Sequence, residues 1–469
     1  MQTVLTYQDE KDLVLEQMLN KFYKIYQQDP DNRIYTIHNC GFELYLTPDC
    51  NQNCSYCYLC KYKNELYPQE LRNTETILKN MRILMDYLIE NKINPPRFDL
   101  FSGEIWDTQF GYDVLQIVYE ALQKGFKPGI IIIPSNFSFV LNDEALKIID
   151  DYMQKITAYG VRLCWSCSND GLYVDQMTRP FNNEEQYELK KGTEAYYKRI
   201  FDFCIKWNLG FHPMVSAHGI EYWCENFDWW MKQLKEHNFD PIQQIMFLEV
   251  RNDDWTEDKI ISYLKYLNHS VDYYINDYFT THKDLSKDPQ SFEKWIHHKL
   301  LNTPQSNYSP LFCTPRQWHP GCTIHRSIVV RMGDLAIVPC HRTSYDEFVG
   351  GHYVVENDKI VGVRANNIQI MNQVWFNNLL GSAKCGGCPY KTFCMKGCYG
   401  SQFESTGELL YPCSTVCDLY QARFIFLYHK YTKLGVINEK DDPQYFNTIQ
   451  KIKESKEYQK WTAIALSLI

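Results

Sequence analysis

The sequence predicts an α/β chain: a parallel sheet with helices packed outside it, followed by a small cysteine-rich α+β domain. Six strand-then-helix units follow one another between residues 41 and 270, the element order that builds a parallel sheet. Beyond residue 312 the composition changes, with nine of the 18 cysteines falling between residues 313 and 417. The 469 residues are enough for two or three domains with cores of their own.

Residues 1–40 read as a helical segment in which Leu13, Leu15, Met18, Leu19, Phe22 and Tyr23 make an irregular apolar face. Residues 43–47 are a short strand that runs into a cysteine loop. Ile77, Leu78, Met81, Leu84, Met85, Leu88 and Ile89 then recur at helical spacing, with Asn73 or Thr74 as the expected N-cap. The next units are a strand at 98–101 with a helix over 114–122, and a buried strand at 129–133 with a helix opening near Asn142 and Asp143. Strands at 161–166, 211–217 and 245–249 precede helices near 191–208, 226–237 and 256–267. Residues 271–312 are polar and aromatic without a clean period and read as a linker or lateral insertion. A closing helical segment, 421–469, follows the cysteine-rich block, with Tyr420, Phe424, Leu427 and Tyr431 at helical spacing across its start.

The formal charge of −9 argues against a general polyanion binder, whose phosphate affinity comes from a lysine and arginine excess, so no nucleic acid partner is expected. No apolar run reaches the roughly 20 residues of a membrane-spanning helix. The N-terminus has neither the basic nor the apolar region of a secretory signal. The expectation is therefore a cytoplasmic chain without a membrane partner. Thiols stay reduced in that compartment, so 18 cysteines point to metal ligation rather than disulfides.

Cys50, Cys54 and Cys57 form a C-x3-C-x2-C triplet in a loop bounded by Pro48 and by Asn51, Asn53 and Ser55. Buried apolar cysteines would be one explanation. Three thiols within eight residues of a polar loop fit a chain wrapped round a metal better. Three thiolates on a cluster of four irons leave one iron without a protein ligand and open to a substrate or cofactor. With Tyr56 just before the last cysteine, the loop resembles that of the radical S-adenosylmethionine (radical SAM) enzymes. The resemblance implies a partial (β/α)6 TIM-type barrel over 41–270, with its chemistry at the C-terminal ends of the strands. It also implies a [4Fe-4S] cluster on Cys50, Cys54 and Cys57 whose open iron is chelated by S-adenosylmethionine. One electron then releases a 5'-deoxyadenosyl radical.

The same resemblance assigns cofactor contacts at later strand ends. Ser102-Gly103-Glu104 is similar to the family's Gly-Gly-Glu segment, with serine for the first glycine and Ile105 where a proline is usual. Gly103 would let the backbone approach the methionine ammonium while Glu104 accepts a hydrogen bond nearby. Ser135 and Asn136 are similar to a Thr-Asn pair. Ser168, Asn169 and Asp170 lie in a segment similar to Ser-x-Asp-Gly, although an Asp-Gly pair is also an ordinary turn signal. Arg179 stands where an arginine often holds the carboxylate, and Ser216, around the fifth strand, would also face the cofactor.

In the later block, Cys385, Cys388, Cys394 and Cys398 are spaced C-x2-C-x5-C-x3-C, and residues 333–340 read as a hairpin ending at Cys340. Taken alone, this spacing suits zinc as well as iron-sulfur. The block 313–420 resembles the SPASM extension of radical SAM enzymes, which carries two auxiliary [4Fe-4S] clusters. The resemblance gives Cys322, Cys340, Cys398 and Cys313 to the first, and Cys385, Cys388, Cys394 and either Cys417 or Cys413 to the second. Cys40, Cys60, Cys164, Cys167, Cys204 and Cys224 read as small packed side chains, with Cys60 close to the triplet.

The implied activity is that of a radical SAM oxidoreductase that abstracts hydrogen from a peptide or protein and leaves it oxidised by a cross-link, dehydrogenation or similar change. Maturation of ribosomally made peptides is favoured. A sulfatase-type protein maturase and a dehydrogenase or epimerase acting on a small molecule are the alternatives. Behind them stand a non-catalytic iron-sulfur carrier and a zinc-binding module. An electron donor such as flavodoxin or ferredoxin is implied, and the short N-terminal segment suggests a separate leader-binding protein. The aromatic and acidic run 247–255 is either a substrate contact or a capped turn. His325, His341 and Tyr345 lie near ligand positions, and none is assigned as acid or base.

Overall fold

In a computed structural model of the chain, the described residues are 6–29, 41–241, 244–274, 276, 327–376, 383–392, 398–434 and 443–469. They divide between two compact units, Met1–Ser168 with Pro180–Gly210 and Thr323–Leu379, and Asn169–Arg179 with Phe211–Cys322 and Leu380–Ile469.

The first unit is built on β1 (Gly41–Tyr45), whose five residues are all buried, as in a parallel strand covered on both faces. It pairs in parallel with β2 (Arg97–Phe101), and β3 (Ile130–Ser135) and β4 (Arg162–Cys167) continue the parallel order. The helices α2 (Tyr58–Leu66), α3 (Thr74–Glu90), α4 (Gln109–Gln123) and α5 (Asp143–Thr157) connect these strands. α3 buries Ile77, Met81, Leu84, Met85 and Leu88, the face expected from their spacing. Asn73 caps it by accepting from the Thr76 N–H, and Asn142 caps α5 by accepting from two N–H groups.

Sequence periodicity had not placed the other side of this sheet. β7 (Ser327–Arg331) pairs in parallel with β1, and β8 (Ala336–Val338), β9 (Gly351–Glu356) and β10 (Lys359–Ala365) add antiparallel strands beyond it. The hairpin expected over 333–340 begins earlier, with β7–β8 spanning 327–338 and Cys340 just after it. The N-terminal helix α1 (Tyr7–Tyr26) covers this antiparallel edge. Asp12 accepts from the Ala365 N–H at 2.7 Å, and the Phe22 ring lies 4.9 Å from that of Trp375. Of its expected apolar face Leu13 is exposed, and Tyr26 is buried instead. The helix α7 (Glu194–Trp207) and the helix Ile368–Phe376 also belong to this unit.

The second unit contains the short helix α6 (Asp175–Thr178), the parallel pair β5 (Met214–Val215) and β6 (Leu248–Glu249), and the helices α8 (Trp223–Glu236) and α9 (Glu257–Tyr273). Both strands are shorter than expected. A ladder does run from the Phe211 N–H on the Gln244 carbonyl to the Val250 N–H on the Val215 carbonyl. Pro213 has no N–H and removes one rung from it. The later helices are Tyr399–Thr406, Ser414–Lys433, Pro443–Lys453 and Lys456–Leu468.

The chain is thus a mixed α/β protein with a parallel central sheet. Among the described residues the strands form two sheets rather than one closed barrel. No helix among them is long and apolar enough to cross a membrane. The expected linker from residue 277 onward lies outside the described residues, as do Cys40, Cys313, Cys322, His325 and Cys394.

Candidate cofactor and metal site

The cysteine loop leaves the C-terminal end of β1 and is held from several directions within the first unit. Its backbone meets the segment that follows α6: the Asn53 N–H donates to the Pro180 carbonyl, the Asn182 N–H donates to the Asn51 carbonyl, and Gln52 bridges to Phe181. On the other side the Gly103 N–H reaches the Thr47 carbonyl and the Glu104 N–H the Asp49 carbonyl, both at 2.8 Å. Gly103 is required by this approach, because a Cβ there would stand 2.0 Å from the Asp49 oxygen. After Cys57, which precedes α2, Asp49 pairs with Lys63 and lies 3.7 Å from the buried Arg72.

Cys54 is buried, Cys50 and Cys57 are half-buried, and Cys60 is exposed, all outside any disulfide. Burial, with Cys54 and Glu104 nearby, pushes the Cys50 thiol well up. The contact with Cys60, and then burial, raises Cys57, while the same contact lowers Cys60. The Gln52 N–H donates to Cys50 Sγ at 3.4 Å. Tyr56 is half-buried in the same loop.

Glu104, Ser135 and Asn136 come together. The Glu104 carboxylate, 5% exposed, accepts from Ser135 Oγ at 2.9 Å and from the Asn136 N–H at 2.6 Å. The Asn136 side chain donates to Asn51 Oδ1 at 2.7 Å, and so ties this group to the cysteine loop. Ser168 joins through its N–H on the Ser135 carbonyl.

Several members of this network were missed by sequence reasoning. Asn51 Nδ2 donates to Ser138 Oγ at 2.7 Å and to the Tyr187 hydroxyl at 2.8 Å, and both of these donate to Asp107 Oδ2 at 3.1 Å. The one available signal was that Asn51 lies between ligand candidates. Nearby in this unit, His341 Nδ1 lies 2.6 Å from Glu43 Oε1 and its ring stacks on Phe101 at 3.8 Å. Asp99, opposite Glu43 in register, is pushed up to about 6 by burial, against the pull of Arg97.

In the second unit, Asn169, Asp170 and Arg179 are engaged with their own surroundings. Asp170 is fully buried, and its carboxylate accepts from the Met214 N–H at 2.9 Å and from Thr178 Oγ1 at 2.8 Å, with Arg179 at 3.7 Å. Asn169 Oδ1 accepts from the Gly171 N–H, and Ser216 Oγ donates to the His218 carbonyl. Gly171 has φ +109°, a conformation that glycine adopts readily, just before the turn at 172–174.

Among the described residues, Cys385, Cys388, Cys398, Cys413 and Cys417 are half-buried, outside any disulfide, and set at turns and helix starts. The Cys388 N–H meets the Cys385 carbonyl, Cys398 precedes the helix Tyr399–Thr406, and Cys413 precedes Ser414–Lys433, one turn before Cys417. Cys340 belongs to the first unit and accepts from the Arg342 N–H at 3.5 Å.

The donor set of the N-terminal loop fits an iron-sulfur cluster with a bound polar cofactor. Three reduced thiols lie in one pinned loop, and an N–H already points at one sulfur. Gln52 Nε2 and Ser102 Oγ are buried polar atoms without a hydrogen-bond partner. Among the described residues no three His, Cys, Asp or Glu side chains converge as they would on a single ion. A cubane is larger than one ion and holds its sulfurs farther apart.

No protein-family model matches the chain, and no curated protein matches it. Solved structures do match. "Native anSMEcpe with bound AdoMet and Cp18Cys peptide" aligns at a TM-score of 0.48 and "Native anSMEcpe with bound AdoMet and Kp18Cys peptide" at 0.47, each over 84% of this chain and 98% of that chain at 13% identity. "Native anSMEcpe with bound AdoMet", an anaerobic sulfatase-maturating radical SAM/SPASM enzyme, aligns over 84% of this chain and 98% of that one at 13% identity. The TM-score of 0.53 makes the resemblance to the radical SAM/SPASM enzymes one of fold.

Proposed function

We propose that this chain is a radical SAM enzyme in which Cys50, Cys54 and Cys57 hold a [4Fe-4S] cluster and S-adenosylmethionine binds its open iron. Bound there, the pair supplies a 5'-deoxyadenosyl radical that starts the oxidation of a peptide or protein. The chain's own residues hold the loop rigid, keep water from its buried side and orient the cofactor through the group formed by Glu104, Ser135 and Asn136. Asn169, Asp170, Arg179 and Ser216 are proposed for the ribose and carboxylate side. The partial (β/α)6 barrel, the SPASM domain and its two auxiliary clusters belong to the same proposal, as does an external electron donor such as flavodoxin or ferredoxin.

The observation that carries the reading is the cysteine loop at the C-terminal end of a central parallel strand, tied through Asn136 and Glu104 to the ends of the next two. That is where folds of this class keep their chemistry. The fold likeness to a structure with bound AdoMet supports the cofactor. It also favours a sulfatase-type protein target over ribosomally made peptides, because the aligned protein is a sulfatase-maturating enzyme. Anaerobic reconstitution followed by incubation with sulfatase-derived and unrelated peptides tests this by mass spectrometry. A mass loss confined to the sulfatase-derived peptides supports that target. A reconstituted protein that forms 5'-deoxyadenosine yet alters no peptide sinks it.

A further inference from the structure

Gln52 lies between two proposed ligands and touches two sulfurs of the loop and that of Cys60 in α2. Its N–H donates to Cys50 Sγ at 3.4 Å, its carbonyl accepts from Cys60 Sγ at 3.9 Å, and its side-chain Oε1 accepts from the Cys54 thiol at 3.6 Å. The residue is 3% exposed, and its Nε2 has no hydrogen-bond partner. A buried amide nitrogen left without one is costly.

The side-chain contact holds only while Cys54 keeps its proton. A cysteine bound to iron is a thiolate with nothing to donate, so the amide oxygen would face a negative sulfur. Half a turn of the amide about its last bond exchanges nitrogen and oxygen, which differ little in shape. An N–H then takes the place of Oε1 beside Cys54 Sγ. The orphaned nitrogen gains an acceptor, and the atom left over is a carbonyl oxygen, the less costly of the two to bury unpaired.

We infer that the Gln52 side chain donates a hydrogen bond to the Cys54 thiolate of the loaded cluster and raises its reduction potential. This rests on the cluster proposed above. Hydrogen bonds to cluster sulfurs help set the potential, and a donor stabilises the more negative, reduced state. Gln52 is a positioning residue for charge, outside the set of ligands.

Gln52→Met keeps the length and burial of the side chain without a donor. In anaerobically reconstituted protein, a redox titration is followed on the electron paramagnetic resonance signal that changes when S-adenosylmethionine is added. The expected result is wild-type iron content with a reduction equilibrium about tenfold less favourable, equal to about 59 mV for one electron. Gln52→Glu should shift it in the same direction. An unchanged potential in a fully loaded Gln52→Met protein overturns the inference and leaves the cluster standing. Should the variants fail to hold iron, wild-type protein carrying 15N in its glutamine side chains decides the matter. A 15N coupling to the reduced cluster supports the donor, and its absence overturns it. A wild type that builds no cluster on Cys50, Cys54 and Cys57 removes the functional proposal and this inference together.

Discussion

Glu104 receives hydrogen bonds from the Ser135 hydroxyl and the Asn136 N–H in a buried setting, so its removal strands two donors at once. Glu104→Ala should lower stability by about 1–3 kcal/mol, read from a denaturation midpoint, and should suppress cofactor cleavage as well. Asp99 offers a test that does not involve the cofactor. Burial raises its carboxyl to about 6 from the ordinary 3.8, so its stabilising contribution is complete below the lower value and is lost as pH rises through the upper one. The loss is on the order of 3 kcal/mol. Asp99→Asn lacks this dependence, and its unfolding free energy relative to wild type should improve by most of that amount between pH 4 and pH 7. A constant difference across that range would contradict the assignment. At this scale the sequence was partly legible. Glu104, Ser135 and Asn136 could be found because they follow successive strands. Asn51 could not be seen to meet Tyr187, which lies 136 positions away, because a side-chain pair of that separation leaves no local pattern.

Elements differ in the same way. The caps at Asn73 and Asn142 and the buried face of α3 are local consequences of residue type and spacing, and they were readable. The pairing of β7 with β1 joins residues nearly 300 positions apart, and no periodicity within either strand announces it. The shortness of β5 is written in Pro213 and could have been anticipated. The link between β2 and the cysteine loop makes the sharpest prediction here. A methyl group at Gly103 would collide with the backbone of Pro48 and Asp49, and only movement of that backbone can relieve it. Gly103→Ala should therefore keep its helical circular dichroism and lose the iron bound by the N-terminal loop. Wild-type iron content in this variant would show that the close approach is dispensable.

Over the whole molecule, α/β class and helix-flanked parallel strands were legible because six units repeat one rhythm. The division into two units was not, since each gathers segments distant in sequence. In the second unit the helix Ser414–Lys433 is fastened to β6 by Arg423 on Glu249 at 2.9 Å, with the Tyr263 hydroxyl also donating to Glu249. Both charged side chains are largely buried, so Arg423→Ala leaves an uncompensated carboxylate. A loss of about 3–5 kcal/mol is expected in denaturant unfolding of the full chain. A loss below 1 kcal/mol would mean that the pair is well solvated.

The central claim concerns the N-terminal loop, and the release of 5'-deoxyadenosine tests it most directly. The anaerobically reconstituted full chain would be mixed with S-adenosylmethionine and a strong reductant, beside a variant in which Cys50, Cys54 and Cys57 are all alanine. The expected outcome is steady release from the wild type and none above background from the variant. Equal release from the two proteins, or none from a wild type carrying its full complement of iron, would contradict the account.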